Sequence, residues 1–297
     1  MNHLDWLESE SMYILREVVT QFQNPCILFS GGKDSAVVLY LAQKALYPEK
    51  LKIPVVHIDT GHNFQEALDY RDKFVSHIGC PLIVGRVQDD INSGAVVEEH
   101  GYNASRNVLQ TTTLLRVLDT YQFDCAVGGA RRDEEKARAK ERIFSHRNAF
   151  GQWTPENQRP EVWDIYNTHK TYGETFRVFP LSNWTELDVW EYIERENIDL
   201  PSIYFAHQRK VFERNGQLLA AEPDYIDRRF NEVPQEKTVR CRTVGDVTCT
   251  GLIESEADTV AKIIEEIKNA TTSERGSRAD DSRSLTAMED RKRNGYF

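Results

Sequence analysis

The sequence predicts an α/β protein with a doubly wound, mostly parallel sheet over residues 1–200, followed by a C-terminal extension over 201–297. Three observations carry this prediction. Short apolar runs alternate with segments of helical spacing, as parallel βαβ units require. A glycine pair joins the first apolar run to the first following helix. Hydrophobic residues make up 40% of the 297 and charged residues 28%, enough for a large buried core.

The elements follow in order. Leu4, Leu7, Ile14, Val18 and Phe22 recur at near-helical spacing, and Asn24-Pro25 ends that helix. Cys26 to Phe29 reads as a buried strand, and Ala36 to Ala45 as a helix. A second strand covers Ile53 to Ile58, a helix Phe64 to Ile78, and a third strand Pro81 to Val84. Thr111 to Tyr121 is read as helix and Asp124 to Val127 as a fourth strand. The charge-dense stretch Glu135 to Arg147 is expected to be helical. Phe150 to Thr175, rich in Trp, Pro, Asn and Gly, is expected to be irregular. Phe179-Pro180-Leu181 reads as a short extended piece. Trp184 to Glu196 restarts a helix with Thr185 as N-cap and Asp188 three residues on. Beyond Pro201 the pattern yields only a helix near Ser255 to Lys268. Composition alone makes Thr271 to Phe297 a flexible tail.

The formal net charge of −10 argues against a general nucleic-acid binder. None of the five cysteines forms a Cys-x-x-Cys pair, so zinc and dithiol chemistry are disfavoured. The acidic start is no signal peptide, and no apolar run reaches the ~18 residues needed to cross a bilayer. A cytoplasmic location is expected, without membrane association.

Ser30-Gly31-Gly32-Lys33-Asp34-Ser35 is the strongest local signal. It lies where a parallel sheet opens its ligand crevice. Glycines let backbone N–H groups approach a phosphate, the helix N-terminus adds positive potential, and Lys33 adds a full charge. The hydroxyls of Ser30 and Ser35 can donate to phosphate oxygens. This is not a Walker A loop, because Asp34 follows Lys33 and no glycine stands five before Gly32. The hexapeptide resembles the hallmark of the PP-loop ATP pyrophosphatase superfamily (adenine-nucleotide α-hydrolase-like). That resemblance implies a loop wrapped around the β,γ-diphosphate of ATP and cleavage between the α and β phosphates.

Two more segments point to the nucleotide. Asp59 and Thr60, closing the second strand, could orient ribose or adenine, or form an ordinary strand-end turn. Gly128 and Gly129, closing the fourth, permit close approach, and Arg131 and Arg132 offer bidentate anion contacts. Arg138, Lys140 and Arg142 read as a solvated face.

Nearly the whole chain resembles the small, catalytic subunits of bacterial heterodimeric ATP sulfurylases, sulfate adenylyltransferase subunit 2. The supporting stretches are Gly129 to Lys136, Arg138 to Ser145, Phe179 to Trp190, Val239 to Gly245, and the tail from Glu274 to Phe297. The resemblance implies the reaction of ATP with sulfate to give adenosine 5′-phosphosulfate and pyrophosphate. It also implies a large GTPase partner subunit and a C-terminal extension that completes the site or contacts that partner. The tail is then expected to be ordered by the active site or the partner. Catalysis falls to Lys33, which stabilises departing pyrophosphate, and to Arg131 or Arg132, which holds sulfate or the α-phosphate. Arg240 and Arg242 alternate, so an extended backbone would aim both into an anion pocket, unless each forms a salt bridge elsewhere. Mg2+ is expected with ATP, Asp34 being the one candidate protein ligand, and no redox cofactor. A phosphoadenylyl sulfate reductase is disfavoured because no cysteine follows Cys249. A tRNA-thiolating enzyme would want paired cysteines and a basic surface, and the intact loop argues against a non-catalytic nucleotide-binding subunit.

Overall fold

The computed structural model describes residues 2–102, 104–134, 136–158, 160–270 and Glu274. The expectation of an ordered tail therefore lies, Glu274 apart, outside the described residues.

Helix α1 (His3–Gln21) opens with a capping box in which Asn2 and Asp5 satisfy each other's backbone amides. Strand β1 (Pro25–Leu28) leads into α2 (Lys33–Leu46), β2 (Val55–Asp59) into α3 (Gln65–Ile78), and β3 (Leu82–Arg86) into the short α4 (Val87–Asn92). Helix α5 (Gln110–Thr120) and β4 (Cys125–Val127) follow. Next come α6 (Lys136–Ala139), β5 (Phe144–Arg147), β6 (Thr175–Val178) and α7 (Glu186–Glu196). The sheet order is β3-β2-β1-β4-β6-β5. All neighbours run parallel except β5, which pairs antiparallel with β6 at the edge.

Alternating side chains bury both faces, as a parallel sheet demands. On one face Ile27, Phe29, Val55, Val127 and Val178 pack with α1, α2, α3 and α7. On the other, Cys26, Leu28, Val56 and Ala126 pack with Leu114, Val117 and Leu118 of α5. No helix of the described residues is long and apolar enough to cross a membrane.

The expected helix over Glu135 to Arg147 is corrected. Among the described residues of this stretch only Lys136–Ala139 is helical, and Phe144–Arg147 is the edge strand. Its four residues are all buried, which a solvated helix face would not be. Glu141 neutralises Arg147 there, and so lets a charged sequence occupy a sheet.

The region beyond Pro201, where the sequence yields only the helix near Ser255 to Lys268, opens with a small closed barrel. Strands β7 (His207–Arg214), β8 (Gln217–Ala220), β9 (Gln235–Cys241) and β10 (Leu252–Glu254) close in the order β10-β8-β7-β9, and α8 (Val260–Lys268) follows. Val211, Phe212, Leu219, Val239 and Leu252 fill it, and its core runs on to Phe64 and Ala67 at the start of α3. The barrel is thereby packed against the first turn of the main sheet's third helix.

Glu232 is an acid-sensitive tie in the barrel. Its carboxylate accepts from Arg214 Nε at 2.8 Å and Nη2 at 2.9 Å, from Tyr102 Oη and from the Arg229 amide. The Arg214 guanidinium, helped by Tyr102, holds Glu232 down to about 2 from 4.5. A depressed carboxyl contributes stability above its unfolded value, and that contribution is lost as pH falls from 4.5 through about 2. Urea midpoints taken near neutrality and again at about pH 3 should therefore drop less in Glu232→Gln than in the wild type. Equal acid sensitivity of the two proteins would remove this role.

Candidate active site

The loop between β1 and α2 is built as an anion cradle. Gly31 takes a φ of +78°, a conformation natural to glycine, and a Cβ there would lie 3.1 Å from the Ala67 carbonyl oxygen. Gly32 is the N-cap of α2 and brings no side-chain acceptor. The helix start is left to an anion and to its surroundings. Lys33 N–H donates to the Tyr204 hydroxyl at 3.0 Å. Ser30 Oγ accepts from the Gly32 amide at 3.3 Å, and Ser35 Oγ donates to Gly32 O at 2.8 Å.

Two cations converge beneath this loop. Lys33 is fully buried and Arg131 is 1% exposed. Asp34 bridges them, with Oδ2 3.0 Å from Lys33 Nζ and Oδ1 2.8 Å from Arg131 Nε. Glu274 bridges them again, one oxygen on Lys33 and the other on Arg131. Burial opposes ionisation of Lys33, but Asp34 and then Glu274 outweigh it and raise its pKa. Burial likewise opposes the charge on Asp34, yet Arg131 and Lys33 bring it down to about 2. Burial raises Glu274 against the pull of the same two cations. All the same, two carboxylates neutralise two cations in a dry place, where charge pairing is required.

The cleft above is lined by Leu28, Val56, Ile58 and Leu114 on its apolar side. Ser30, Gly32, Asp34, Ser35, Gly129, Asn107 and Glu274 line its polar side. An apolar slot beside an anion cradle suits a flat base joined to phosphates. Gly129 is essential to the close packing: a Cβ there would lie 3.0 Å from Asp34 Cβ and 3.1 Å from Ser35 N. Gly129→Ala should push the start of α2 away at a cost of about 1–3 kcal/mol. ATP affinity measured by calorimetry should then fall roughly ten- to a hundredfold. Unchanged affinity would mean that this contact does not shape the cradle.

The candidate residues from the sequence divide. Ser30, Gly31, Gly32, Lys33, Asp34, Ser35, Gly129 and Arg131 come together at the cradle. Asp59 and Thr60 do not line the cleft. Asp59 Oδ1 accepts from the Gly61 amide at 2.8 Å, an ordinary strand-end turn. Thr60 is fully buried and its hydroxyl donates to Asp246 at 2.8 Å. Gly128 lies inside the sheet ladder, its amide donating to Val178 O at 2.8 Å. Arg132 is turned outward to Asn183, while its amide donates to Ser182 O at 3.1 Å.

The shared pocket of Arg240 and Arg242 is corrected. Strand β9 ends at Cys241, so the alternation stops between the two arginines. Arg240 holds Glu266 of α8 with Nε at 2.9 Å and Nη2 at 2.7 Å. Arg242 forks onto Glu186 at the start of α7, at 3.0 and 2.6 Å. Each has its carboxylate on a different helix. Arg138, read as solvated, is instead buried and lies on the cleft wall, 3.3 Å from Glu134. Cys249 is a buried thiol facing Asp246 O.

The sequence reading missed Tyr204 and Glu274 as parts of the cradle. Tyr204 lies 171 positions from the amide that it serves, and Glu274 lies 241 from Lys33. Neither has a local signal. The family-like tail was the only hint of Glu274.

A phosphate cradle at a parallel-sheet edge, flanked by an apolar slot, defines a nucleotide-dependent enzyme of the phosphate-loop α/β class. Residues 24–252 match the phosphoadenosine phosphosulfate reductase domain family. A sulfate adenylyltransferase subunit 2 of Mycolicibacterium gilvum is 58% identical over 100% of this chain and 95% of its own length. One of Mycobacterium tuberculosis is 57% identical with the same coverage. Among solved structures, an FMN adenylyltransferase of Candida glabrata aligns with a TM-score of 0.48 at 12% identity, over 79% of this chain and 68% of its own. That likeness is too distant to bear on function. The chain belongs to the sulfate adenylyltransferase subunit 2 family.

Proposed function

We propose that the chain transfers the adenylyl group of ATP to sulfate, giving adenosine 5′-phosphosulfate and pyrophosphate, as the small subunit of a cytoplasmic assembly with a GTPase. The observation that carries this reading is the convergence of buried Lys33 and Arg131 on one carboxylate, that of Glu274, at the N-terminus of α2. Two cations aimed at one anion, beside the glycine backbone of the loop, form a place for phosphate oxygens. The Glu274 carboxylate stands in that place as an anion does.

The chemistry needs no general base. A sulfate oxygen attacks the α-phosphorus, an S–O–P linkage forms, and the bond from the α-phosphorus to the oxygen bridging to the β-phosphate breaks. The electron pair leaves with pyrophosphate, and no proton is transferred. Catalysis is then positioning together with stabilisation of charge growing on the leaving group. In this reading Lys33 and the loop backbone serve the leaving group, and Arg131, which shares Asp34 and Glu274 with Lys33, serves the α-phosphate or sulfate. Asp34 anchors both cations. Its two oxygens are already engaged, and no group of three His, Cys, Asp or Glu side chains among the described residues could hold a metal. Magnesium bound with ATP would be held chiefly by phosphates and water, and would supply neutralisation of phosphate charge.

The subunit 2 designation of the relatives supports a multi-subunit assembly. A GTPase partner fits the uphill energetics of sulfate activation. The purified chain, with ATP, magnesium and sulfate, should release pyrophosphate only when sulfate is present, and faster with the GTPase subunit and GTP. Release that ignores sulfate would remove this reading.

A further inference from the structure

Glu274 reaches the phosphate loop from beyond α8 and takes donors that a nucleotide needs. It is 5% exposed. One carboxylate oxygen accepts from Lys33 Nζ and the other from Arg131 Nη2. The same residue lines the nucleotide cleft beside Ser30, Gly32 and Ser35.

Asp34 and Glu274 touch the same two cations but differ in kind. Asp34 belongs to the first turn of α2 and follows Lys33 in the chain, so it moves with the loop. Its oxygens meet Lys33 Nζ and Arg131 Nε, which leaves Arg131 Nη2 to another anion. Glu274 lies 241 positions from Lys33, so the loop's own geometry does not fix it there. Burial raises the Glu274 carboxyl, whereas Arg131 and Lys33 overcome burial and bring Asp34 down to about 2. Asp34 is thus the resident counter-ion of the loop, and Glu274 the exchangeable one.

A bound diphosphate and Glu274 compete for these donors. Arg131 Nε is given to Asp34, Nη1 faces Asp133 at 3.5 Å, and Nη2 is given to Glu274. Phosphate oxygens reach Nη2 only if Glu274 lets go, and a diphosphate set against an ionised Glu274 crowds like charges in a dry site. Behind Glu274 lies a further cavity of about 230 Å³, lined by Asp133, Thr185, Glu186, Leu187 and Arg242. A displaced carboxylate has room there. Two of those residues are acidic and Arg242 already forks onto Glu186, so that side offers Glu274 less than Lys33 and Arg131 do.

We propose that Glu274 is a built-in competitor of the nucleotide: its carboxylate fills the cradle in the free chain and must be expelled before the diphosphate of ATP binds. The inference rests on the reading of the cradle as a nucleotide phosphate site and adds the regulation of that site. Only molecules with the carboxylate withdrawn are competent, so the measured ATP affinity is the intrinsic one lowered by their fraction.

The test is calorimetry on the full chain without sulfate, with ATP and magnesium in one arm and adenosine in the other. Glu274→Gln keeps the shape of the side chain and removes its charge. ATP should bind this variant about tenfold or more tightly than the wild type. Adenosine, which carries no phosphate, should gain nothing from the substitution. The free variant should melt below the wild type, because two buried cations are left with Asp34, and ATP should raise its Tm by more than it raises that of the wild type. Unchanged or weaker ATP binding in the variant would overturn the proposal and leave the nucleotide reading intact. So would a gain that adenosine shares in full. ATP binding to neither protein would remove the nucleotide reading, and this inference with it. Should Glu274→Gln not fold, a wild-type crystal structure with a non-hydrolysable ATP analogue decides. A carboxylate withdrawn from Lys33 Nζ and Arg131 Nη2 supports the proposal, and one still within about 3.2 Å of both refutes it.

Discussion

Replacing Lys33 with alanine is expected to lower sulfate-dependent pyrophosphate release by about 10²–10³-fold, in the range lost when one preorganised donor to a developing anion is removed. The circular dichroism spectrum should remain that of the wild type. The reason lies in how the side chain is held. Lys33 is fully buried, yet Asp34 and Glu274 keep it charged, so in the proposed reaction it would meet the departing pyrophosphate already desolvated. In the variant Asp34 and Glu274 face Arg131 alone, and proton uptake by Glu274, whose pKa burial already raises, removes the surplus negative charge and protects the fold. The loss should fall mainly on kcat, because the interaction strengthens as the leaving group gains charge. Turnover near the wild-type rate would remove Lys33 from the chemistry.

Trp184→Ala should cost about 3–5 kcal/mol of folding stability, the usual range for deleting a buried large aromatic side chain. In a chain of this size that lowers Tm by roughly 10 °C. Trp184 is fully buried between α1 and α7, with its ring edge-on to Tyr192 at 5.1 Å. Its Nε1 donates to Ser11 Oγ at 3.0 Å, and Ser11 Oγ donates to Pro180 O at 2.8 Å. Truncation therefore opens a cavity and breaks a buried relay that links the first helix to the turn after β6. Trp184→Phe should recover most of the packing but not the hydrogen bond, leaving a deficit of about 1 kcal/mol. Urea melts of both variants check this. A Trp184→Ala protein as stable as the wild type would show that the site collapses without cost.

The main sheet was legible because its strands are local, apolar and separated by helices with clear signals. Thr185 and Asp188 announce the capping box of α7 in four residues, and the structure shows both reciprocal bonds. The loop was legible for the same reason: six consecutive residues carry it. Strand β5 was not, since Ser145, His146 and Arg147 look polar until Glu141 and β6 are placed beside them. The barrel was hidden by composition. His207 to Arg214 has apolar residues only at Val211 and Phe212, and its pairing with Gln235 to Val239 is non-local. At the site, short-range inference placed the glycines and Lys33, whereas Tyr204 and Glu274 arrive from more than half the chain away. Asp59 and Thr60 were assigned by analogy with other nucleotide folds, and their side chains are spent on a turn and on Asp246.

The phenol of Tyr204 has an evolutionary corollary. It meets the first amide of α2 from the lead-in to the barrel, while Arg242 grips Glu186, and Val247 N donates to His62 O at 2.9 Å. The phosphate loop is thus finished by a part of the gene that encodes no strand of the main sheet. A recombination event that exchanged only the first two hundred codons would inherit half of a lock, so the two segments must be passed on, and must vary, together.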